Sequence, residues 1–409
     1  MEIERTEVRN DWQPSEVGDA LHSKTMVINM GPSHPCTHGT VRLVVEVDGE
    51  RIERCDVDVG YLHRGFEKQC ENVNYWQVIP YTDRLNYVSP IINNVGYCLA
   101  VEKLFGVEVP ERTKAIRVLL SELSRITDHL TCLGAGAMEL GAFTVMLYFM
   151  QAREYLYHLV EEVTGARLTI SYVRIGGLAR DLPIGFTDRL LKRLEDVKRL
   201  MDYGDRLLSK NRIFVDRMCD VGIIAPDEAI AYGLTGPLLR GSGVSYDVRK
   251  AFPYSGYENY TFEVPVGTKG DNYDRFLCRF NEIGQSMSII EQVIKTLPDG
   301  PINVRDPKII MPPKDEVYDS IEGMIAQFEI VFRGVVPPKG EVYFPVEGGT
   351  GELGFHVVSD GTGTPYKVRV RAPSFISMGI LGPLIEGHTI ADVVPIFGMH
   401  NMIGGECDR

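Results

Sequence analysis

The alternation of apolar and polar residues predicts a small β-sheet near the start of the chain. Residues 40–47 place apolar side chains at every second position and run into Asp48-Gly49, a pair typical of hairpin turns. Residues 25–30 have the composition of a second strand. We therefore expect the N-terminal part to be a sheet preceded by a loosely held arm, residues 1–24.

Helical spacing replaces this alternation in the middle of the chain. Apolar residues recur with a period near 3.6 from about residue 72 to Gly165, and again in residues 186–210 and 272–297. Long helices that each have one apolar face bury those faces against one another. The sequence thus predicts a helical bundle.

One apolar run, residues 130–150, has the length of a membrane-spanning helix. Glu139 is its only charged residue, and a carboxylate near the midpoint of a bilayer helix costs about 2.5 kcal/mol or more. The run also contains three glycines. We predict a helix buried inside protein.

Turn signals return towards the end of the chain. The segments GGTGE and DGTGTP separate short alternating strands within residues 340–371, which predicts a C-terminal antiparallel sheet. Residues 212–270 are rich in Gly, Pro and Tyr, and we interpret them as a structural loop region.

These patterns together predict an α+β fold with three regions. They are an N-terminal arm and small β-sheet in residues 1–71, a core of long helices in residues 72–297, and a mixed α/β region with antiparallel strands and a buried C-terminus in residues 298–409.

Composition narrows the classes of partner and compartment. The 409 residues carry 43 Lys and Arg against 56 Asp and Glu, and the net charge of −13 argues against nucleic acid or an anionic lipid surface as the main partner. The eight cysteines are scattered without a CxxC pair, so we predict no zinc finger, no local iron–sulfur motif and no disulfide framework. The acidic, polar start is unlike a signal peptide.

Candidate chemistry is concentrated in residues 61–89. This stretch combines tyrosines with Arg64, Glu67, Asp83 and Arg84 in an otherwise apolar context. Such charges either lie on a solvated helix face as ion pairs or build a polar site, because they cannot be buried unpaired. We favour the polar site.

A second candidate is the loop of residues 31–39, GPSHPCTHG. Its prolines and bracketing glycines predict an exposed, non-helical loop that presents His34, Cys36 and His38. Zinc sites usually draw their ligands as separated pairs, which disfavours a metal interpretation of three ligands within five residues. Ordinary turn histidines remain the alternative.

Several of these motifs resemble one family. They are HRGFEK at residues 63–68, PYTDRLNYVS at 80–89, the loop GPSHPCTHG and RAPSF at 371–375. The chain resembles, over roughly residues 23–409, the D subunit (49 kDa type) of proton-pumping NADH:quinone oxidoreductase, respiratory complex I.

That family is similar to the large subunit of nickel–iron hydrogenases, whose matching segments hold nickel through cysteines. Here Asn86 and Ser89 stand where one cysteine pair would be, and only Cys407 remains near the other. An amide or a hydroxyl cannot replace a thiolate on nickel, so we predict no metal in this chain.

The resemblance implies roles around a quinone headgroup. It assigns His38 and Tyr87 as hydrogen-bond donors to the two quinone carbonyls, with His34 in the same headgroup loop. Glu139, where the family usually has aspartate, would pair with His38. These residue types suit the reaction, because a quinone offers only acceptors and its reduction needs two protons.

The resemblance also implies a neighbouring redox centre. Arg64, Arg84 and Thr169 match positions beside the terminal 4Fe-4S cluster of a partner subunit, where positive charge raises the cluster potential. Many relatives have histidine at the position of Thr169. Because threonine does not titrate near neutrality, we expect the potential of this cluster to depend little on pH.

The implied function is that of a complex I component that forms the quinone site and couples electron transfer from the partner's cluster to quinone reduction and proton translocation. The chain itself would bind no cofactor, with NADH and FMN elsewhere in the complex. Implied partners are the B subunit, which carries the cluster, the C and I subunits, and the membrane-embedded H subunit. The expected location is peripheral, on the cytoplasmic face of the inner membrane or the matrix side.

Three alternatives remain open from the sequence. They are a nickel–iron energy-converting hydrogenase, a related membrane-bound dehydrogenase driven by deazaflavin or ferredoxin, and a non-catalytic scaffold.

Overall fold

The computed structural model describes residues 25–409, so the arm predicted for residues 1–24 lies outside it. Within this range the strands form three antiparallel sheets, ordered β1-β2-β3, β4-β5 and β6-β7-β8. Their bounds are β1 Met26–Met30, β2 Arg42–Asp48, β3 Arg51–Asp58, β4 Val173–Arg174, β5 Gly177–Leu178, β6 Gly340–Glu347, β7 Glu352–Ser359 and β8 Lys367–Arg371.

Helices make up most of the remaining described chain. Their bounds are α1 Phe66–Cys70, α2 Tyr75–Thr82, α3 Pro90–Phe105, α4 Glu111–Glu139, α5 Phe143–Thr164, α6 Phe186–Leu208, α7 Arg212–Met218, α8 Pro226–Ala231, α9 Gly236–Gly241, α10 Val248–Ala251, α11 Asn272–Thr296, α12 Lys314–Asp319, α13 Ile321–Arg333, α14 Pro373–Ile385, α15 Ile390–His400 and α16 Gly404–Asp408. Short 3-10 turns lie at Pro35–Thr37 and Tyr257–Asn259.

The N-terminal sheet follows the predicted alternation. Leu43, Val45 and Val47 of β2 are buried, and the residues between them are half-buried. The inward face packs with the apolar side of α14 in one hydrophobic cluster. The predicted sheet and its hairpin are confirmed.

The helical core is organised around α4, which has 29 residues. It packs against α5 and α11, and α5 in turn packs against α6. Helix α5 ends where the sequence predicted, because Gly165 adopts a left-handed conformation with φ 83°. The predicted bundle of long helices and the α+β fold class are therefore confirmed, whereas the proposed domain boundaries stay a prediction.

The apolar run of residues 130–150 is not one buried helix, and that prediction was wrong. Helix α4 ends at Glu139, the chain turns through Gly141 with φ 88°, and α5 begins at Phe143. The side chains of Phe143 and Leu147 are 57% and 53% exposed. Within residues 25–409, no helix combines the length and the apolar character needed to cross a membrane.

The region of residues 212–270 contains more regular structure than the predicted loops. Four short helices, α7 to α10, lie in it. Asn211 and Asp247 cap the first and last of them by accepting backbone N–H groups, and prolines occupy the first turn of α8 and α9. These local caps explain why a Gly- and Pro-rich segment still folds into helical turns.

The C-terminal sheet is confirmed as antiparallel, with β7 in its centre. It packs closely on α3, because a Cβ on Gly96 would lie only 2.8 Å from Val346 and 3.0 Å from Phe355. The chain then returns through α14 and α15 to α16, which is buried over its full length. The predicted burial of the C-terminus is thus confirmed.

Candidate functional site

The loop of residues 31–39 is more ordered than the sequence predicted. Pro35–Thr37 forms a 3-10 turn, and the backbone N–H of Cys36 donates to Nδ1 of His34 over 3.2 Å. Cys36 is buried, and this burial raises the pKa of its thiol to about 12. The loop therefore presents two imidazoles, and the prediction of an exposed Cys36 in a non-helical loop was wrong.

His38 follows this turn in a left-handed conformation with φ 53°. Its Nδ1 donates to the carbonyl oxygen of Met402 over 3.4 Å, and its Nε2 lies 3.5 Å from Oε1 of Glu139. The ring of Phe397 meets it edge to face, with 5.3 Å between centroids. The imidazole is thus held by α4, α15 and the segment after α15, while 30% of its side chain stays exposed.

Glu139 is the last residue of α4, and its side chain is only 10% exposed. Its Oε2 is buried and has no hydrogen-bond partner among the described residues. Both ring nitrogens of His38 therefore face acceptors, one a carbonyl and the other a carboxylate. Only a doubly protonated imidazole donates to both of them at once.

Tyr87 lies half-buried in the turn between α2 and α3. Burial raises the pKa of its phenol, the guanidinium of Arg64 opposes this rise, and Asp128 adds to it. The phenol consequently keeps its proton at neutral pH and can act as a donor.

Asn86 and Ser89 bind the same buried carboxylate. The side-chain N–H of Asn86 and the hydroxyl of Ser89 donate to Oδ2 of Asp128 over 2.8 and 2.9 Å, and Asn401 donates to Oδ1 over 3.1 Å. The positions that match hydrogenase thiolates thus form a hydrogen-bond network. Over residues 25–409, no cluster of His, Cys, Asp and Glu has the arrangement of a metal site.

The arginines predicted near a partner's cluster meet through the backbone. Arg64 donates to the carbonyl oxygen of Arg84 over 2.9 Å and to that of Gly405 over 2.6 Å. Burial lowers the pKa of the Arg64 guanidinium, and the nearby Asp408 partly restores it. The side chain of Arg84 is exposed, and Thr169 lies half-buried in the loop after α5 without a hydrogen bond to either arginine.

The C-terminus holds the HRGFEK motif in position. The carboxylate of Asp408 accepts the backbone N–H groups of Gly60 and Leu62 over 3.0 and 2.7 Å. His63 donates from Nδ1 to the carbonyl oxygen of Asp408 over 2.6 Å. Sequence patterns predicted that the terminus is buried, but they gave no signal for these long-range bonds.

A fully buried ion-pair cluster behind the site was missed by the sequence analysis. Arg240 binds Glu282 over 2.5 Å and Glu347 over 2.7 Å, and Arg249 binds Asp247 over 2.6 Å. Its remaining members are Glu122, Arg125 and His129 on α4. We considered the segment that begins at Arg240 only as a possible anion-binding loop. The available signal was three polar residues on the apolar face of α4, at helical spacing.

Comparison with known proteins supplies the context of this site. The family model of the respiratory-chain NADH dehydrogenase 49 Kd subunit matches residues 139–409. The first of two D subunits of NADH-quinone oxidoreductase from Sorangium cellulosum is 56% identical over 390 residues, which cover 95% of this chain and 96% of the relative. The corresponding D subunit of Myxococcus xanthus is 53% identical over 395 residues, which cover 97% and 95%.

A further relative has an additional part. The C/D subunit of NADH-quinone oxidoreductase from Bdellovibrio bacteriovorus is 48% identical over 397 residues, which cover 97% of this chain and 71% of the relative.

The fold and these matches define the class of protein, a component of respiratory-chain NADH dehydrogenases. The chain belongs to the family of NADH-quinone oxidoreductase D subunits, the 49 Kd subunits. The resemblance recognised from the motifs is confirmed.

Proposed function

We propose that this chain forms the quinone-headgroup site of its complex, with His38 and Tyr87 as the donors to the two quinone oxygens. The observation that carries the proposal is the setting of His38, between the Met402 carbonyl and the Glu139 carboxylate at the edge of a partly open loop. This setting fixes the ring while it leaves part of the ring accessible.

The geometry supports proton donation by His38. Its contacts of 3.4 and 3.5 Å are longer than the usual 2.7–3.2 Å of an N–H···O hydrogen bond. A quinone oxygen can therefore replace one of these acceptors without breaking a strong bond. The neighbouring carboxylate of Glu139 favours the protonated ring before donation.

Tyr87 supplies the second proton in this proposal. Reduction of a quinone to a quinol consumes two electrons and two protons, and the imidazole and the phenol each donate one. Electrons would come from a 4Fe-4S cluster in a partner subunit, with NADH and FMN further away in the complex. His34 would contact the quinone from the same loop, although its Nδ1 is engaged by the turn.

The assembly follows from the same proposal. The C/D name of the Bdellovibrio bacteriovorus relative supports direct association with a C subunit. The B, I and H subunits would complete the site and connect it to proton translocation, and the chain would lie on the cytoplasmic face of the membrane. A deazaflavin- or ferredoxin-driven complex would use the same two donors and differ in the subunits that deliver electrons.

The proposal is tested by His38→Ala and Tyr87→Phe in the purified complex. We expect quinone reduction to fall about 100-fold for His38→Ala, the scale of a lost general acid. Electron transfer from NADH to an artificial acceptor upstream of the site should stay normal in both variants. Tyr61→Phe, which removes an exposed hydroxyl bonded to Asp58, is the matched control and should retain full quinone turnover. Normal quinone rates in both site variants would identify the chain as a scaffold.

A further inference from the structure

The segment of residues 401–403 connects His38 to two buried carboxyl groups. Asn401 donates to Oδ1 of Asp128 over 3.1 Å, and the carbonyl of Met402 accepts from His38. The backbone N–H of Ile403 reaches the hydroxyl of Ser374 over 3.4 Å. That hydroxyl donates in turn to Glu406. Three consecutive residues thus contact the imidazole and the surroundings of both carboxyls.

A second segment, between β6 and β7, lies against the same two groups. A Cβ on Gly349 would be 2.4 Å from Oδ2 of Asp128. The next residue, Thr350, donates from Oγ1 to Oε2 of Glu406 over 2.8 Å. Asp128 and Glu406 are therefore neighbours in one buried polar region next to His38.

Glu406 differs from Asp128 in how it is held. Asp128 accepts hydrogen bonds on both of its oxygens. The donors to Glu406 are Thr350 Oγ1 and the backbone N–H and hydroxyl of Ser374, and all three reach Oε2. Oε1 is left as the oxygen that can carry a proton.

Glu406 has no basic partner among residues 25–409, because no ion pair includes it. Of the charged groups around it, Arg64 binds the carbonyl of Gly405, and Asp408 binds the backbone of residues 60–62. Burial raises the pKa of Glu406 to about 7, the hydrogen bonds from Ser374 and Thr350 oppose this rise, and the charge of Asp128 adds to it. The carboxyl group therefore sits between its two protonation states near neutral pH.

We propose that Glu406 is a redox-coupled proton site of the quinone pocket, which takes up a proton when negative charge enters the pocket and releases it when the product leaves. This inference rests on the proposed quinone site. In a dry interior, a charge several ångströms away changes the proton affinity of a carboxylate strongly. An electron that enters the pocket, or a proton that leaves His38, makes the region more negative and favours the neutral acid.

The charge balance of this step is simple. Each proton taken up by Glu406 comes from solvent and compensates one negative charge in the pocket, and only the O–H bond at the carboxyl group forms. Glu406 acts through its charge and does not contact the quinone, so it is a positioning residue. Its loss should change the pH profile of quinone reduction more than the maximal rate.

Redox-induced infrared difference spectroscopy of the purified complex tests this inference. On reduction at pH 7 to 8, we expect a carbonyl band of a newly protonated carboxylic acid, and its loss in Glu406→Gln. The amide oxygen of glutamine can still accept from Thr350 and Ser374, which preserves the packing. Glu228→Gln, at an exposed position of α8, is the control and should keep the band.

A second variant leaves the carboxyl group in place. Thr350→Val removes one donor to Oε2 with little change in shape, and loss of that hydrogen bond should move the titration of the band to higher pH. If Glu406→Gln does not assemble, this shift decides the question, and a band with wild-type titration would overturn the inference.

The outcomes also separate the two proposals. If His38→Ala and Tyr87→Phe lose quinone turnover but the spectrum of Glu406→Gln equals that of the wild type, only the proton site is refuted. Normal turnover in His38→Ala and Tyr87→Phe refutes the quinone site itself.

Discussion

Gly398 of α15 packs directly on the carboxylate of Glu139. A Cβ added at Gly398 would lie 2.4 Å from Oε2, closer than real side chains approach. The obstacle is the end of a flexible side chain, so the carboxylate and not the backbone would move. The missing side chain at Gly398 is therefore what lets Glu139 reach His38.

This relationship predicts opposite effects of Gly398→Ala on stability and activity. Alanine inside a helix is favoured over glycine by roughly 0.5–1 kcal/mol, so the complex should remain at least as stable. The displaced carboxylate would no longer support His38, and we expect quinone reduction to fall about tenfold. Turnover and thermal unfolding of the same preparation measure both effects.

Gly284→Ala is the matched control for this substitution. Gly284 also lies inside a helix, α11, and a Cβ there would meet nothing within 4 Å. The control should raise stability without changing turnover. Full activity in Gly398→Ala would mean that the position of Glu139 does not matter for quinone reduction.

The buried ion-pair cluster predicts a large stability effect at Arg240. Arg240→Met would leave Glu282 and Glu347 without their guanidinium partner, and breaking a buried pair in this way costs about 3–5 kcal/mol. We expect poor incorporation into the complex and a lower unfolding temperature. Arg212→Ala breaks an exposed pair with Asp216 and should cost at most about 0.5 kcal/mol. Equal stability of the two variants would contradict this ranking.

The sequence predicted what depends on local repetition. The strand alternation of residues 40–47 and the helical periodicity of residues 272–297 are set by which face is buried, and both elements appear with nearly the predicted bounds. The break after Glu139 was missed because an apolar run predicts burial but gives no direction to the chain. Gly141 was the one local signal of that turn.

Contacts between distant segments could not be predicted in this way. His38 and Met402 are 364 residues apart in the chain, and Arg240 and Glu347 are 107 apart. Family resemblance supplied His38, Tyr87 and Glu139 as candidates. The support from Gly398 and the segment of residues 401–403 required three-dimensional placement.

Asp83 predicts a pH dependence of stability. Asn94 and Ser171 donate to its carboxylate over 2.5 and 2.9 Å, but burial dominates and raises the pKa of Asp83 to about 7. In the unfolded chain the pKa is about 3.9. Between these values the folded protein holds a proton that the unfolded chain has lost, so stability falls as pH rises, by up to about 1.4 kcal/mol per pH unit.

Asp83→Asn should remove this contribution. The asparagine oxygen can still accept from Asn94, and the variant should be more stable than the wild type above pH 7 and less sensitive to pH below it. Thermal unfolding of the complex between pH 5 and 8 measures the difference. Asp227→Asn, at an exposed position of α8, should unfold with the wild-type pH profile. An unchanged profile in Asp83→Asn would show that Asp83 is ionised throughout this range.

The last prediction concerns Thr169 and the redox centre proposed beside it. Threonine offers no group that titrates near neutrality, so the midpoint potential of the partner's terminal cluster should be nearly constant between pH 6 and 8. Thr169→His would place an imidazole at this half-buried position, where its protonation can follow reduction of the cluster. The potential should then change by up to about 59 mV per pH unit, the slope of one proton per electron. Leu168→His, one residue earlier on the exposed side of the loop, is the control and should show a weaker slope, because solvent screens its charge. Redox titrations followed by the magnetic resonance signal of the cluster measure all three slopes, and a slope of one proton per electron in the wild type would exclude this account of Thr169.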